Sequence, residues 1–143
     1  MIKTINLTRY YGPLAAVQDL NMTVEQGEIF GFLGPNGAGK TTTIRMIIGL
    51  LRPTAGTAIV AGHDVQKDPL AVKRSVGYLA QTPRVYERLT GREFLRFVGG
   101  LYGLTEEAIR TRTEYLLTLM ALTEKGDQLI ESYSGGMRRK IGL

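Results

Sequence analysis

Residues 34 to 41 read Gly34-Pro35-Asn36-Gly37-Ala38-Gly39-Lys40-Thr41, and glycines spaced this way ahead of Lys-Thr suit the grip of a polyphosphate. Gly34, Gly37 and Gly39 permit backbone angles and a close approach that side chains deny, so successive amide groups can point at phosphate oxygens. A helix starting near Gly39 adds its positive end. Lys40 is then a mobile point charge for the β- and γ-phosphates, Thr41 a hydroxyl for Mg²⁺, and Thr42 a contact for the α-phosphate. Pro35, Asn36 and Ala38 complete the loop that would wrap the nucleotide. Chance produces the pattern in roughly one chain of this length in a few hundred, so its flanks decide. A plain glycine-rich hairpin with a surface lysine is the alternative.

The flanks have the required form. Ile29 to Leu33 is a short, nearly continuous apolar run, which predicts a strand buried on both faces. After the loop, Ile44, Ile47, Ile48 and Leu51 recur at helical spacing until Arg52-Pro53 closes the pattern. Ahead of it, Ile5 and Leu7, then Leu20, Met22 and Val24, alternate as in half-buried antiparallel strands around a turn at Tyr10 to Pro13. Further strands are predicted at Ala58 to Ala61 and Val76 to Ala80, with a short helix at Leu70 to Ser75 between them. Beyond residue 88 the character changes. Thr90-Gly91-Arg92-Glu93 has the form of a capping box, followed by a stripe of Phe94, Phe97, Val98 and Leu101. Thr105 is placed to cap a second helix, with Glu106 and Glu107 in its first turn and Ile109, Leu116, Met120 and Leu122 facing inward. Residues 1–88 therefore read as an α/β core with an N-terminal antiparallel β subdomain, and 89–143 as a helical subdomain.

Bulk properties narrow the class. With 143 residues the chain can bury a core of its own. It has no cysteine, which excludes disulfides and thiolate metal sites and makes the cytoplasm the default compartment. No apolar run reaches bilayer length and no charged-then-apolar leader opens the chain, so a soluble, unprocessed polypeptide is expected. The net charge of +5 favours anionic partners without choosing among them.

Four segments together carry a family resemblance across the whole chain: Arg9-Tyr10-Tyr11-Gly12 with Ala16-Val17, Gly34 to Thr42, Val76 to Gln81, and Tyr133-Ser134-Gly135-Gly136-Met137. The chain resembles the nucleotide-binding subunit of ATP-binding cassette (ABC) transporters, most of all the ATPases of bacterial ABC-2 type exporters. The resemblance implies a P-loop NTPase core, ATP and Mg²⁺ as ligands, a second cassette in a dimer, and a membrane permease at the inner face of the plasma membrane. It implies that Tyr11 stacks on adenine, with Tyr10 the competing neighbour. By the same route Gln81 contacts Mg²⁺ or the attacking water and acts with Lys40 in catalysis. Ser134, Gly135 and Gly136 close over the ATP of the opposite subunit. Taken alone, such a glutamine is an ordinary solvated side chain and a Ser-Gly-Gly an ordinary turn.

The resemblance also implies landmarks beyond the signature: a strand ending in Asp-Glu, a further Asp and a switch histidine. Asp19, Asp64, Asp68 and Asp127 lack the preceding apolar run, and His63 stands in a turn far from the switch position. The expectation is a fragment cut inside the signature helix, with part of the core missing and apolar faces bared. ATP hydrolysis powering export is the leading function. A nucleotide-holding module without turnover is the alternative, and a DNA-repair type ATPase a third class, disfavoured because Thr82 to Ser132 holds no heptads or cysteines. Arg138, Arg139 and Lys140 read as a solvated helix face, and no nucleic acid partner is expected.

Overall fold

Ile2–Tyr11 (β1) and Leu14–Val24 (β2) pair antiparallel across a two-residue connection in the computed structural model, which describes residues 1–143. Their alternation is interrupted. The register shifts between Thr4 and Leu7, and Asn6 and Asp19 both adopt left-handed backbone at φ 47°, a conformation that Asn and Asp tolerate better than most residues. Asn21 ties the distortion down: its Oδ1 accepts from the Asn6 amide at 2.8 Å and its Nδ2 donates to Asn6 Oδ1 at 2.8 Å. Because one extra residue reverses the side-chain phase, Thr4 and Leu7 are buried while Ile5 is exposed. Ile5 and Leu7 therefore do not share a face, contrary to the alternation expected of them.

Ala55–Val60 (β3) pairs with β1, and His63–Asp64 (β4) with β3, giving one antiparallel sheet of order β2-β1-β3-β4. Lys40–Ile47 (α1) and Pro69–Ser75 (α2) complete this first unit, Met1–Tyr78. Its core consists of Leu7, Met46, Ile47, Ala58, Val60, Val65 and Val72. Leu7 and Met46 are fully buried, so truncating either to alanine would cost about 2–5 kcal/mol. α1 is shorter than its apolar spacing suggested: after Ile47 the chain turns, and the Leu50 and Leu51 amides both donate to the Arg45 carbonyl at 2.9 Å.

Ile29 to Leu33 and Val76 to Ala80 run without any ladder partner. Ile29 is 100% and Leu33 90% exposed, which corrects the expectation of a strand buried on both faces. Apolar character alone does not make a strand; it needs neighbours to bond its amides and cover its faces. No other segment of residues 1–143 takes that place.

The second unit, Leu79–Leu143, contains Gly91–Leu101 (α3), Glu106–Leu119 (α4), 3₁₀ turns at Thr123–Lys125 and Ile130–Ser132, and Gly135–Ile141 (α5). The capping box forms as read. The Glu93 amide donates to Thr90 Oγ1 at 3.2 Å, and Glu93 Oε2 accepts from the Thr90 amide at 2.8 Å. Thr105 caps α4 by accepting from the Ala108 amide at 3.3 Å. Phe94, Leu117, Leu122, Ile130, Tyr133 and Ile141 form the core. Leu117, not Leu116, is the fully buried leucine of α4. Val85 and Leu89 pack on this core, so the segment from Leu79 onward folds with the helices. No helix is long and apolar enough to cross a membrane.

Candidate nucleotide-binding site

The phosphate loop is built where α1 meets β2. Between the pairs Arg9↔Val17 and Tyr10↔Ala15 the register slips, leaving Ala16 as an extra residue of β2, a bulge that kinks the strand. Gly39, at φ 80°, sits against that bulge: a Cβ added there would overlap the Ala16 carbonyl oxygen and stand 3.0 Å from Val17 Cγ2. Only glycine fits both the left-handed backbone and the contact. Gly37 has the same handedness, φ 83°, yet nothing lies within 4 Å of its would-be Cβ.

The residues from Gly34 to Ala38 are exposed, and α1 opens at Lys40 with Gly39 as its N-terminal cap. No backbone carbonyl accepts from the amides of Gly37, Gly39, Lys40, Thr41 or Thr42, whereas the Thr43 amide already donates to Gly39 at 2.8 Å. Unpaired amides at a helix start attract anions, aided by the helix dipole. Lys40 Nζ donates to the carbonyls of Gly34 at 2.5 Å and Pro35 at 2.6 Å, so the ammonium lies across the loop beside those amides. Thr41 is exposed and Thr42 half-buried. Free amides, one cation and a hydroxyl form a donor set that fits a triphosphate with its Mg²⁺. The phosphates would bring the negative charge, since no group of three His, Cys, Asp or Glu converges anywhere in the chain.

The far end of α1 returns to the same strand pair. Arg9 Nη1 donates to the Arg52 carbonyl at 3.0 Å, the Thr54 amide to the Thr8 carbonyl at 2.9 Å, and the Tyr10 amide to Thr54 Oγ1 at 3.1 Å. Both ends of the loop–helix element are thereby pinned near the end of β1, where Tyr10 and Tyr11 are still paired strand residues and the turn expected at Tyr10 to Pro13 is confined to Gly12 and Pro13. Each tyrosine is substantially exposed, and Tyr11 lies under the Arg9 guanidinium, 4.9 Å from ring centroid to Cζ. In the sequence Arg9 belongs to the Arg9-Tyr10-Tyr11-Gly12 segment with no role of its own. The signal available was its position two residues before Tyr11, which puts both side chains on one face of the strand.

In the helical unit, Gln81 is exposed and lines a cleft of about 730 Å³ with Arg84, Gly135, Gly136, Arg138 and Arg139. Ser134 caps α5, its Oγ accepting from the Met137 amide at 3.2 Å. Tyr133 is buried and donates its hydroxyl to the Lys125 carbonyl at 2.7 Å. Burial, and next the Asp127 carboxylate, push the Tyr133 phenol above its ordinary pKa against the opposing pull of Arg92. Gly91 makes room for that phenol, since a Cβ there would overlap the Tyr133 hydroxyl. Arg138 fastens the signature segment with a bond to the Glu131 carbonyl at 2.7 Å and an ion pair to Glu87 at 3.2 Å. His63 lies elsewhere, on β4, exposed and 3.7 Å from Asp68.

The chain is similar in sequence and in fold to known proteins. The chain is 44% identical over 142 residues to the daunorubicin/doxorubicin resistance ATP-binding protein DrrA of Streptomyces peucetius, covering 99% of this chain and 43% of that protein. It is 38% identical over 143 residues to the linearmycin resistance ATP-binding protein LnrL of Bacillus subtilis, covering 46% of it. The chain thus spans less than half the length of these curated relatives. Among solved structures, an ATP-binding subunit of an ABC transporter superposes with a TM-score of 0.83 at 32% identity, over 99% of this chain and 59% of that one. The ATP-binding cassette MJ0796, solved as a dimer bound to ADP and Pi, shares the fold with a TM-score of 0.84 at 22% identity, over 99% of this chain and 67% of that one. The family model described as ABC transporter matches residues 17–143, nearly the full length, and on that match the chain belongs to the ABC transporter family.

Proposed function

We propose that the protein is the ATP-binding and ATP-hydrolysing subunit of an ABC exporter, working as a pair of cassettes on a membrane permease at the inner face of the plasma membrane. The observation that carries this reading is the phosphate loop: free amides, the Lys40 ammonium and the Thr41 hydroxyl gathered on a helix start seated against β2. Export is supported by relatives named for resistance to daunorubicin/doxorubicin and to linearmycin, and for bacitracin transport.

Within the site, the free amides of Gly37, Gly39, Lys40, Thr41 and Thr42 bind and orient the phosphates, Lys40 neutralises charge on the β- and γ-oxygens, and Tyr11 takes the base. Thr41 would hold Mg²⁺, which when bound draws charge from the phosphates being separated. Ser134, Gly135 and Gly136 are assigned to the partner cassette's ATP on the strength of the family resemblance. Hydrolysis requires a water-polarising carboxylate, and no apolar run in this chain ends in Asp-Glu. For the 143-residue polypeptide by itself, the reading is therefore ATP binding without turnover.

Equilibrium dialysis of Mg-ATP against the chain and its Lys40→Ala variant tests the site. Loss of binding with an unchanged circular dichroism spectrum is the expected result. Equal affinity of the two proteins would remove the assignment. Phosphate release separates turnover from binding, and none is expected from the chain alone.

A further inference from the structure

Arg9 is the one arginine of the first unit whose guanidinium is engaged on an aromatic face. Its Nη1 donates to the Arg52 carbonyl, its Nε is buried without a hydrogen-bond partner, and no carboxylate pairs with it. A cation placed this way is held by its stack and one backbone bond, not by a salt bridge. Arg52 belongs to the turn that leaves α1, so Arg9 joins the exit of the phosphate-loop helix to the aromatic ring at the end of β1. Tyr11 keeps 46% of its surface exposed although Arg9 lies over one face of its ring. What remains is a flat apolar surface fixed in orientation, beside a strand pair that also carries the Gly39 contact.

We propose that Arg9 is a positioning residue of the nucleotide site: stacked on Tyr11 and tied to the Arg52 carbonyl, it holds the ring so that its open face receives the adenine base. The inference rests on the nucleotide-binding reading above and adds the residue that organises base recognition. Without Arg9 the Tyr11 ring is free to turn about its side-chain torsions at a strand end, and a base must order it on binding. Tyr10 lacks such a support, its amide being engaged by Thr54 and its ring by no cation. This selects Tyr11 as the stacking residue.

The test compares ATP with inorganic tripolyphosphate, which shares the phosphates and lacks the base, in the 143-residue chain with Mg²⁺ present. Arg9→Lys keeps the charge and a donor for Arg52 but loses the planar stack. It is expected to bind ATP about three- to fivefold more weakly, the range of an exposed cation–π contact, with unchanged affinity for tripolyphosphate. Tyr11→Ala is expected to lose about tenfold for ATP alone, and Arg9→Lys added to Tyr11→Ala to cost nothing more. Unchanged ATP affinity in Arg9→Lys, an equal loss for both ligands, or additive losses in the double variant would each overturn the proposal while leaving the nucleotide site standing. If the unaltered chain binds neither ligand, the nucleotide-site reading falls and this inference with it.

Discussion

Replacing Gly39 by alanine adds one methyl group where the phosphate loop meets β2, and two costs follow. The first is conformational: at φ 80° an L side chain sits in the left-handed region, at about 1–2 kcal/mol. The second is steric. The new Cβ would overlap the Ala16 carbonyl oxygen, a backbone atom at a bulge that cannot rotate aside, with Val17 Cγ2 a further 3.0 Å neighbour. Relieving such overpacking by shifting backbone costs about 1–3 kcal/mol, so the total is about 2–5 kcal/mol, a large part of a typical domain's stability of about 5–15 kcal/mol. Gly37→Ala isolates the first cost, because Gly37 has φ 83° with open space around its would-be Cβ; about 1–2 kcal/mol is expected there. Urea unfolding of both variants, followed by far-ultraviolet circular dichroism, measures the difference, with Gly39→Ala unfolding at clearly lower denaturant. Mg-ATP affinity should fall in parallel for Gly39→Ala, since the loop must leave β2 to fit the methyl group. Equal midpoints for the two variants would refute the claim that the β2 bulge, and not backbone handedness alone, demands glycine at position 39.

Tyr133→Phe removes the hydroxyl bond to Lys125 and is expected to destabilise the helical unit by about 1 kcal/mol at neutral pH. Because the folded protein holds the Tyr133 phenol above its ordinary pKa of 10.0, stability from the neutral hydroxyl is present below that value and lost as pH rises through the folded one; the variant should flatten the alkaline side of a stability–pH profile. Thr90→Ala breaks the capping box and should cost about 1 kcal/mol, read as a lower thermal midpoint. The Thr90 amide, then its hydroxyl, hold Glu93 below its ordinary pKa of 4.5, so this capping contribution is present above that value and fades as pH falls through the folded one; an acid titration that leaves the wild type and the Glu93→Gln variant equally sensitive would contradict it. Finally, the bare Ile29 to Leu33 segment predicts binding of an apolar dye and concentration-dependent association. Changing Ile29 and Leu33 to serine should reduce both, as light scattering and dye fluorescence would show.

The sequence by itself determined the local features. The Gly34 to Thr41 loop, the Thr90 and Thr105 caps and the β1–β2 hairpin all follow from residue chemistry acting over a few positions: which backbone angles glycine permits, which hydroxyls can accept from a helix start, where alternation turns back. The signature segment was legible as a motif for the same reason. Tertiary structure decided what depends on distant neighbours. Asn6 and Ala16 each shift the strand register, so Ile5 faces outward and the Ala16 carbonyl meets Gly39; a bulge is settled by both strands together, not by either one's pattern. Leu117 rather than Leu116 enters the helical core, a rotation of one residue that apolar spacing cannot resolve when both positions carry leucine. Ile29 to Leu33 has the composition of a central strand, but pairing is lateral, and within residues 1–143 no strand lies beside it. Arg9 shows the same division most plainly. Its place before Tyr11 was visible in the sequence, while the contact with Arg52, forty-three residues away, exists only because α1 folds back onto β1.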